Sequence, residues 1–177
     1  MDRKKSISDI MAKLYLFSNF VEKESKLTLS DIHIHAENFY RDLLNILFKY
    51  ELKNENSKTQ NSKAIDLIDD INGVAVRVTL DSSINSIADT ARNFMEEKLN
   101  ENHDLKILII GNKRKFKVNK VKRSGYTFHM RNNILDNHFF NNIMRDKSDS
   151  ELQAVLDLLD GEVAKFIEAQ AEASREK

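Results

Sequence analysis

"AIDLIDDINGVAVRVTL", residues 64–80, decides the fold. Two aliphatic, β-branched runs flank Asn72-Gly73, a dipeptide that tolerates the positive φ angles of a hairpin turn. Two charged residues interrupt the runs, Asp66 in the first and Arg77 in the second. The turn admits two even-length registers. A two-residue loop sets Ile71 against Val74 and Asp66 against Thr79, whereas a four-residue loop sets Asp69 against Val74 and Asp66 against Arg77. Side chains alternate along a strand, so either register places Asp66, Arg77 and Thr79 on one sheet face; only an odd loop or a bulge would separate them. Asp69 and Asp70 belong to the turn, with Asp69 within reach of a metal if the hairpin is short.

Helical periodicity surrounds the hairpin. Ile7, Ile10, Met11, Leu14, Phe17 and Val21 recur at steps of three and four, which predicts an amphipathic first helix. Ser30 or Asp31 caps a second, running to about Leu52, on which Ala36, Phe39, Tyr40, Leu43 and Leu47 share a face. The Asn- and Ser-rich "KNENSKTQNSK" reads as a loop into the hairpin. A third helix follows, capped by Asp81, Ser82 or Ser83 and buried through Ile87, Ala91, Phe94 and Leu99. "LKILIIG" is a short apolar run ending in glycine, as expected of a central strand, and "YTFHM" is a further strand. The last helix carries Leu152, Val155, Leu156, Leu159, Val163, Phe166 and Ile167 on one stripe. This order predicts an α/β fold with a mixed sheet flanked by helices, two of them N-terminal and a long one C-terminal.

With 177 residues, 41% hydrophobic and 32% charged, the chain is expected to form one globular domain over residues 1–177. No apolar run approaches the ~20 residues of a membrane span, and "MDRKKSISDI" lacks the apolar core of a signal peptide, so a cytoplasmic location is expected. The absence of cysteine excludes disulfides, thiolate metal sites and cysteine nucleophiles within this chain. Abundant Lys, Asn and Ile with no proline fit an AT-rich bacterial genome.

Asp66 and Arg77 admit two readings. In one they form a cross-strand ion pair at the edge of a core. In the other Asp66 is a hard oxygen ligand for Mg²⁺ or Mn²⁺, in a site that hydrolyses phosphodiesters with the cation offsetting charge on the attacking and leaving oxygens. His33 and Glu37, four residues apart on one helix side, have a spacing that can chelate a metal, although a histidine there also suits the surface or a cap. Glu37 itself lies beside the apolar stripe, facing a cleft or solvent.

An Asp-bearing strand, a tight turn, a second strand ending in a three-residue motif and then a helix together resemble the restriction-endonuclease-like PD-(D/E)xK superfamily. More narrowly, "AENFYRDLLNILF", "LKNEN", "AIDLID" and "VAVRVT" resemble the SMEK domain of bacterial conflict systems, often the N-terminal module of a longer protein. The resemblance implies a restriction-endonuclease-like core in which Asp66 holds the metal and Glu37 is the carboxylate supplied by the preceding helix. It also marks Arg77 and Thr79 as the places of the second acidic residue and the lysine. Here the chain departs from the pattern, because an arginine at position 77 repels a cation and accepts no hydrogen bond. The catalytic positions are therefore Glu37, Asp66, Arg77 and Thr79, with Glu37 and Asp66 the ligands of Mg²⁺ or Mn²⁺ if the domain cuts.

From Leu105 to Leu135 there is no acidic residue. Lys113, Arg114, Lys115, Lys117, Lys120, Lys122 and Arg123 alternate with Phe116, Val118 and Val121, the pattern of a β-ribbon with apolar residues inward and a positive edge. Such an edge binds phosphates with little sequence preference; the same residues also suit a solvated loop that balances acidic helices, or protection of a strand edge. The function expected is a nucleic-acid-directed domain of a bacterial anti-phage defence system, with DNA favoured as partner. The alternative is a catalytically inactive module that oligomerises or recruits an effector through the last helix. An open cleft joining Asp66 and Glu37 would favour the first; a closed Asp66–Arg77 pair would favour the second.

Overall fold

The computed structural model describes residues 2–27, 31–55, 64–113, 115–123 and 125–175. Its elements run α1 (Arg3–Ser25), α2 (Asp31–Phe48), β1 (Lys53–Asn54), β2 (Leu67–Asp69), β3 (Val74–Thr79), α3 (Ile84–Glu96) and β4 (Asp104–Ile109). They continue with β5 (Lys120–Arg123), β6 (Tyr126–His129), α4 (Met130–Asn133), β7 (Ile134–Leu135), α5 (Asn137–Ile143) and α6 (Asp149–Arg175). The expected mixed sheet is present as five strands in the order β1-β2-β3-β4-β7. β1, β2 and β3 pair antiparallel; β4 lies parallel to both β3 and β7. β5 and β6 form a separate two-stranded ribbon.

The hairpin adopts the four-residue register, with Asp69 opposite Val74 and Leu67 opposite Val76. Asp69 selects it. One carboxylate oxygen accepts from the amides of Ile71 and Asn72 at 2.9 Å each, and the other from the Glu51 amide and the Asn72 side chain at 2.7 Å each. Burial pushes its pKa up, but these hydrogen bonds outweigh that and hold it below the usual carboxylate range. Asp69 is thereby spent on the turn and on the entry to β1. Gly73 completes the turn at φ +63°, and a Cβ there would lie 2.9 Å from the Asn102 carbonyl oxygen. Glycine alone meets both demands.

Alternation along β3 and β4 sends side chains into two apolar layers. Val74, Val76 and Leu108 join α1, α2, α5 and α6 on one face, while Ala75, Leu105, Ile107 and Ile109 pack with α3 and the ribbon on the other. Phe17 is the hub of the first layer: fully buried, its ring centroid lies 4.0 Å from Phe39, 5.8 Å from Tyr40 and 5.6 Å from Phe166. α1 and α6 run side by side in the same direction. Arg3 donates to Asp149 at 2.9 Å near the start of both helices, and Lys13 pairs with Asp160 further along.

Several elements differ from the sequence reading. α2 stops at Phe48 rather than near Leu52, and Asn45 bonds the Leu52 amide and carbonyl beyond it. Ser83 is the residue that caps α3, accepting from the Ser86 amide at 3.2 Å, and Leu99 sits in a separate short turn after that helix. On α6 the buried stripe is Leu152, Val155, Leu159 and Phe166, with Glu162 between them at 7% exposure and Ile167 out at 63%. The α6 stripe therefore closes this chain's own core over most of its length. Among the described residues no helix is long and apolar enough to cross a membrane.

Truncation of the aromatic hub tests the first layer. Phe17→Ala is expected to cost about 3–5 kcal/mol in denaturant unfolding, the range of a buried phenylalanine that leaves a cavity. A loss below about 1 kcal/mol would show that α1, α2 and α6 do not share this core.

Candidate functional site

Asp66 lies immediately before β2, not within it. Its amide bonds the Val76 carbonyl at 2.9 Å although Leu67 already opposes Val76, the two-against-one arrangement of a β-bulge. The bulge turns the carboxylate towards β3, where one oxygen accepts from Arg77 Nη1 at 3.0 Å and the other from the Val78 amide at 2.7 Å. The Asp66 side chain is 8% exposed and that of Arg77 35%. Both acceptor oxygens of the acid are engaged, and the amide on the edge of β3 is satisfied by a side chain where β2 has ended.

Glu37 reaches the same place from α2. Burial raises its pKa to about 7, with the neighbouring Asp66 carboxylate adding to the rise and Arg77 opposing it. Asp66 is itself raised by burial, against the pull of Arg77, the Val78 amide and, more weakly, His33. Glu37 thus lies within electrostatic range of Asp66 and Arg77, and His33 within that of Asp66, with the Asp66–Arg77 bond the direct contact among them. Thr79 is not among them, since its hydroxyl accepts from the Asp81 amide at 3.0 Å and shapes the lead into α3. His35 turns away from this group and pairs with the buried Glu162 of α6.

These donors suit a divalent cation poorly. Each Asp66 oxygen already accepts a hydrogen bond, and the Arg77 guanidinium against one of them would face any bound cation with a fixed positive charge. Among the described residues, no three His, Asp or Glu side chains are grouped to hold a metal.

The basic segment divides in two. Lys113, Lys115 and Lys117 lie on the coil leaving β4, whereas Lys120, Lys122 and Arg123 lie on β5 of the ribbon; Arg114 falls outside the described residues. Val121 turns inward and is buried, Phe116 is half-buried, and Val118 is exposed. The inward alternation therefore holds on β5 and fails on the coil before it. Lys113, Lys115, Lys117 and Lys120 form no salt bridge among the described residues. Arg131, a further basic residue of the acid-free segment between Leu105 and Leu135, is an exposed cation on the short α4 beside this coil.

The family model of the SMEK domain matches residues 9–146. No curated protein and no solved structure matches the chain.

Glu37 supplies a pH test. The unfolded glutamate ionises near 4.5 and the folded one near 7, so the folded chain holds the extra proton between those values. The associated stability is present below the lower value and is lost as pH rises through the upper one. The raised Asp66 acts in the same direction. Glu37→Gln should therefore melt closer to, or above, the wild type at about pH 8 than at about pH 5. A difference in melting temperature that does not change with pH would contradict the placement of Glu37 beside Asp66.

Proposed function

We propose, from the premise that this chain belongs to the SMEK domain family, that it is a nucleic-acid-directed domain of a bacterial defence system, acting in the cytoplasm and derived from a metal-dependent nuclease. It binds nucleic acid without cutting it. The absence of cutting is supported by the closed Asp66–Arg77 pair, with the second Asp66 oxygen on the Val78 amide, the arrangement that also favours an inactive module; the observation that carries binding is the run of exposed lysines on the acid-free coil and ribbon. Descent from a nuclease is supported by the antiparallel β1-β2-β3 unit, the α3 crossover to parallel β4, and the meeting of Glu37 with Asp66 beside the hairpin. That arrangement resembles a restriction-endonuclease-like core whose metal position is held by Arg77.

Binding is supported by the exposed lysines of the coil and ribbon. Lys115, Lys117 and Lys120 are exposed on a stretch that has no acidic residue from Leu105 to Leu135. Neutralising phosphates with such lysines releases counterions, so the affinity is expected to fall steeply with salt and to depend little on sequence. DNA is the favoured partner.

A second reading, oligomerisation or effector recruitment through α6, draws on Ile167, which stands 63% exposed beyond the core stripe, and on the apolar groove of Phe20, Ile32 and Phe166 beside it. A concentration-dependent sedimentation coefficient, lost in Ile167→Glu, would favour it.

Fluorescence anisotropy with labelled duplex DNA tests the first reading. Wild type should bind with a negative slope of log affinity against log salt, and Lys117→Glu with Lys120→Glu should reduce that slope by about 2. Neither Mg²⁺ nor Mn²⁺ should produce cleavage, and Asp66→Ala should leave affinity within about threefold of wild type. Metal-dependent cleavage abolished by Asp66→Ala would overturn the non-cutting claim, and affinity insensitive to salt would overturn the binding claim.

A further inference from the structure

Where β4 ends, the chain leaves the sheet through Gly111 and forms one wall of a cleft of 640 Å³. This is within the roughly 300–1,000 Å³ of small-ligand sites. The opposite wall comes from α4 and the start of α5, and α1 closes one side through Tyr15. The cleft shares no residue with the Glu37–Asp66–Arg77 group. It opens at the carboxyl end of parallel β4, beside parallel β7, the end of an α/β sheet at which ligands commonly collect.

Its chemistry combines two kinds of group. Lys113, Lys115 and Arg131 bring three cations to the walls, and none of them forms a salt bridge with a carboxylate among the described residues. The acid on the wall, Asp136, is 2% exposed, and its oxygens accept from the Phe139 amide at 2.8 Å and the Lys113 amide at 3.0 Å. Its charge is thus turned to capping α5 and holding the coil. Tyr15, 41% exposed, and Phe116, half-buried, add two aromatic rings to the same walls. Cations beside aromatic rings on the walls of one cleft suit a ligand with an anionic end and a flat end: a phosphate held by Lys and Arg, and a base lying against a ring.

We propose that this cleft binds a nucleotide unit, its phosphate against Lys113, Lys115 and Arg131 and its base against Tyr15 and Phe116. The inference deepens the nucleic-acid reading and rests on it for the source of the nucleotide, a single strand entering from the basic coil. The chemistry of the cleft is the same for a free nucleotide. A base seated here has left its stack, so this site takes single-stranded rather than paired nucleic acid.

Isothermal titration of adenosine monophosphate, and separately of a short oligothymidylate, into wild type, Tyr15→Ala, Arg131→Ala and Lys120→Glu tests the proposal. The nucleotide should saturate wild type, and Tyr15→Ala and Arg131→Ala should each weaken it about tenfold or more, with unchanged melting temperatures. Lys120→Glu, outside the cleft, should leave nucleotide binding unchanged while weakening the oligonucleotide. Displacement of the nucleotide by the oligonucleotide identifies the strand as the source, and absence of displacement identifies a free nucleotide; the cleft stands in both cases. No saturable nucleotide binding, or binding indifferent to Tyr15→Ala and Arg131→Ala, overturns the cleft. Salt-sensitive strand binding that survives such a result would leave the broader function intact, whereas loss of both would remove both.

Discussion

The Asp66 carboxylate cannot be left alone. It is enclosed where β2 begins, and an ionised acid there is costly unless hydrogen bonds and an opposite charge compensate it. The bulge, the register of the hairpin and the identity of residue 77 all meet that demand. Asp69 sets the four-residue turn, and the bulge before β2 turns the Asp66 carboxylate so that Arg77 and the Val78 amide each bond one oxygen. Glu37 then approaches from α2, where burial, with the Asp66 carboxylate adding to it and Arg77 opposing, raises its pKa to about 7. In this chain Asp66 is a compensated buried acid, with a second acid near it whose pKa is raised to about 7.

Two charged regions stand apart in this fold. One is the Asp66–Arg77 pair at the hairpin, with Glu37 near it on α2. The other lies on the coil and ribbon between β4 and α4, where Lys115, Lys117 and Lys120 stand exposed on a stretch of sequence without acidic residues. No residue is common to the two. The helical layer of α1, α2 and α6 stands behind both. Phe17 ties its three helices, and α6 encloses the core rather than standing free as a docking helix until Ile167.

Much of this was legible in the residues. The apolar stripes of α1 and α2 and the apolar run of β4 fall where periodicity puts them, because long patterned segments have few alternative ways to bury their apolar face. The hairpin register was left open between two loops, and the deciding interaction is local: Asp69 folds back on the amides of Ile71 and Asn72, an Asx-type turn that competes with the tighter Asn-Gly loop. Other features leave no comparable trace. β1 and β7 are two residues each and exist only because a neighbouring strand offers an edge. α5 has seven residues, marked by the cap at Asp136 and little else. Glu162 interrupts an apolar stripe because His35 and Lys165 receive it, a tertiary pairing that helical spacing does not encode. At the site, the convergence of Glu37 with Asp66 followed from the family pattern, whereas the bulge and the Val78 amide did not. The cleft gathers Tyr15, Lys113 and Arg131 from segments far apart in the chain, and no local motif announces it.

The central claim is that Asp66 is committed to Arg77, and a double-mutant cycle measures that commitment directly. Unfolding free energies of wild type, Asp66→Ala, Arg77→Ala and the double variant should give a coupling energy of about 2 kcal/mol, with Arg77→Ala alone more damaging than its partial exposure would suggest because it leaves an unpaired acid. A coupling energy within about 0.5 kcal/mol of zero would contradict the account. It would mean that the pair opens in solution and that Asp66 is free to serve another partner.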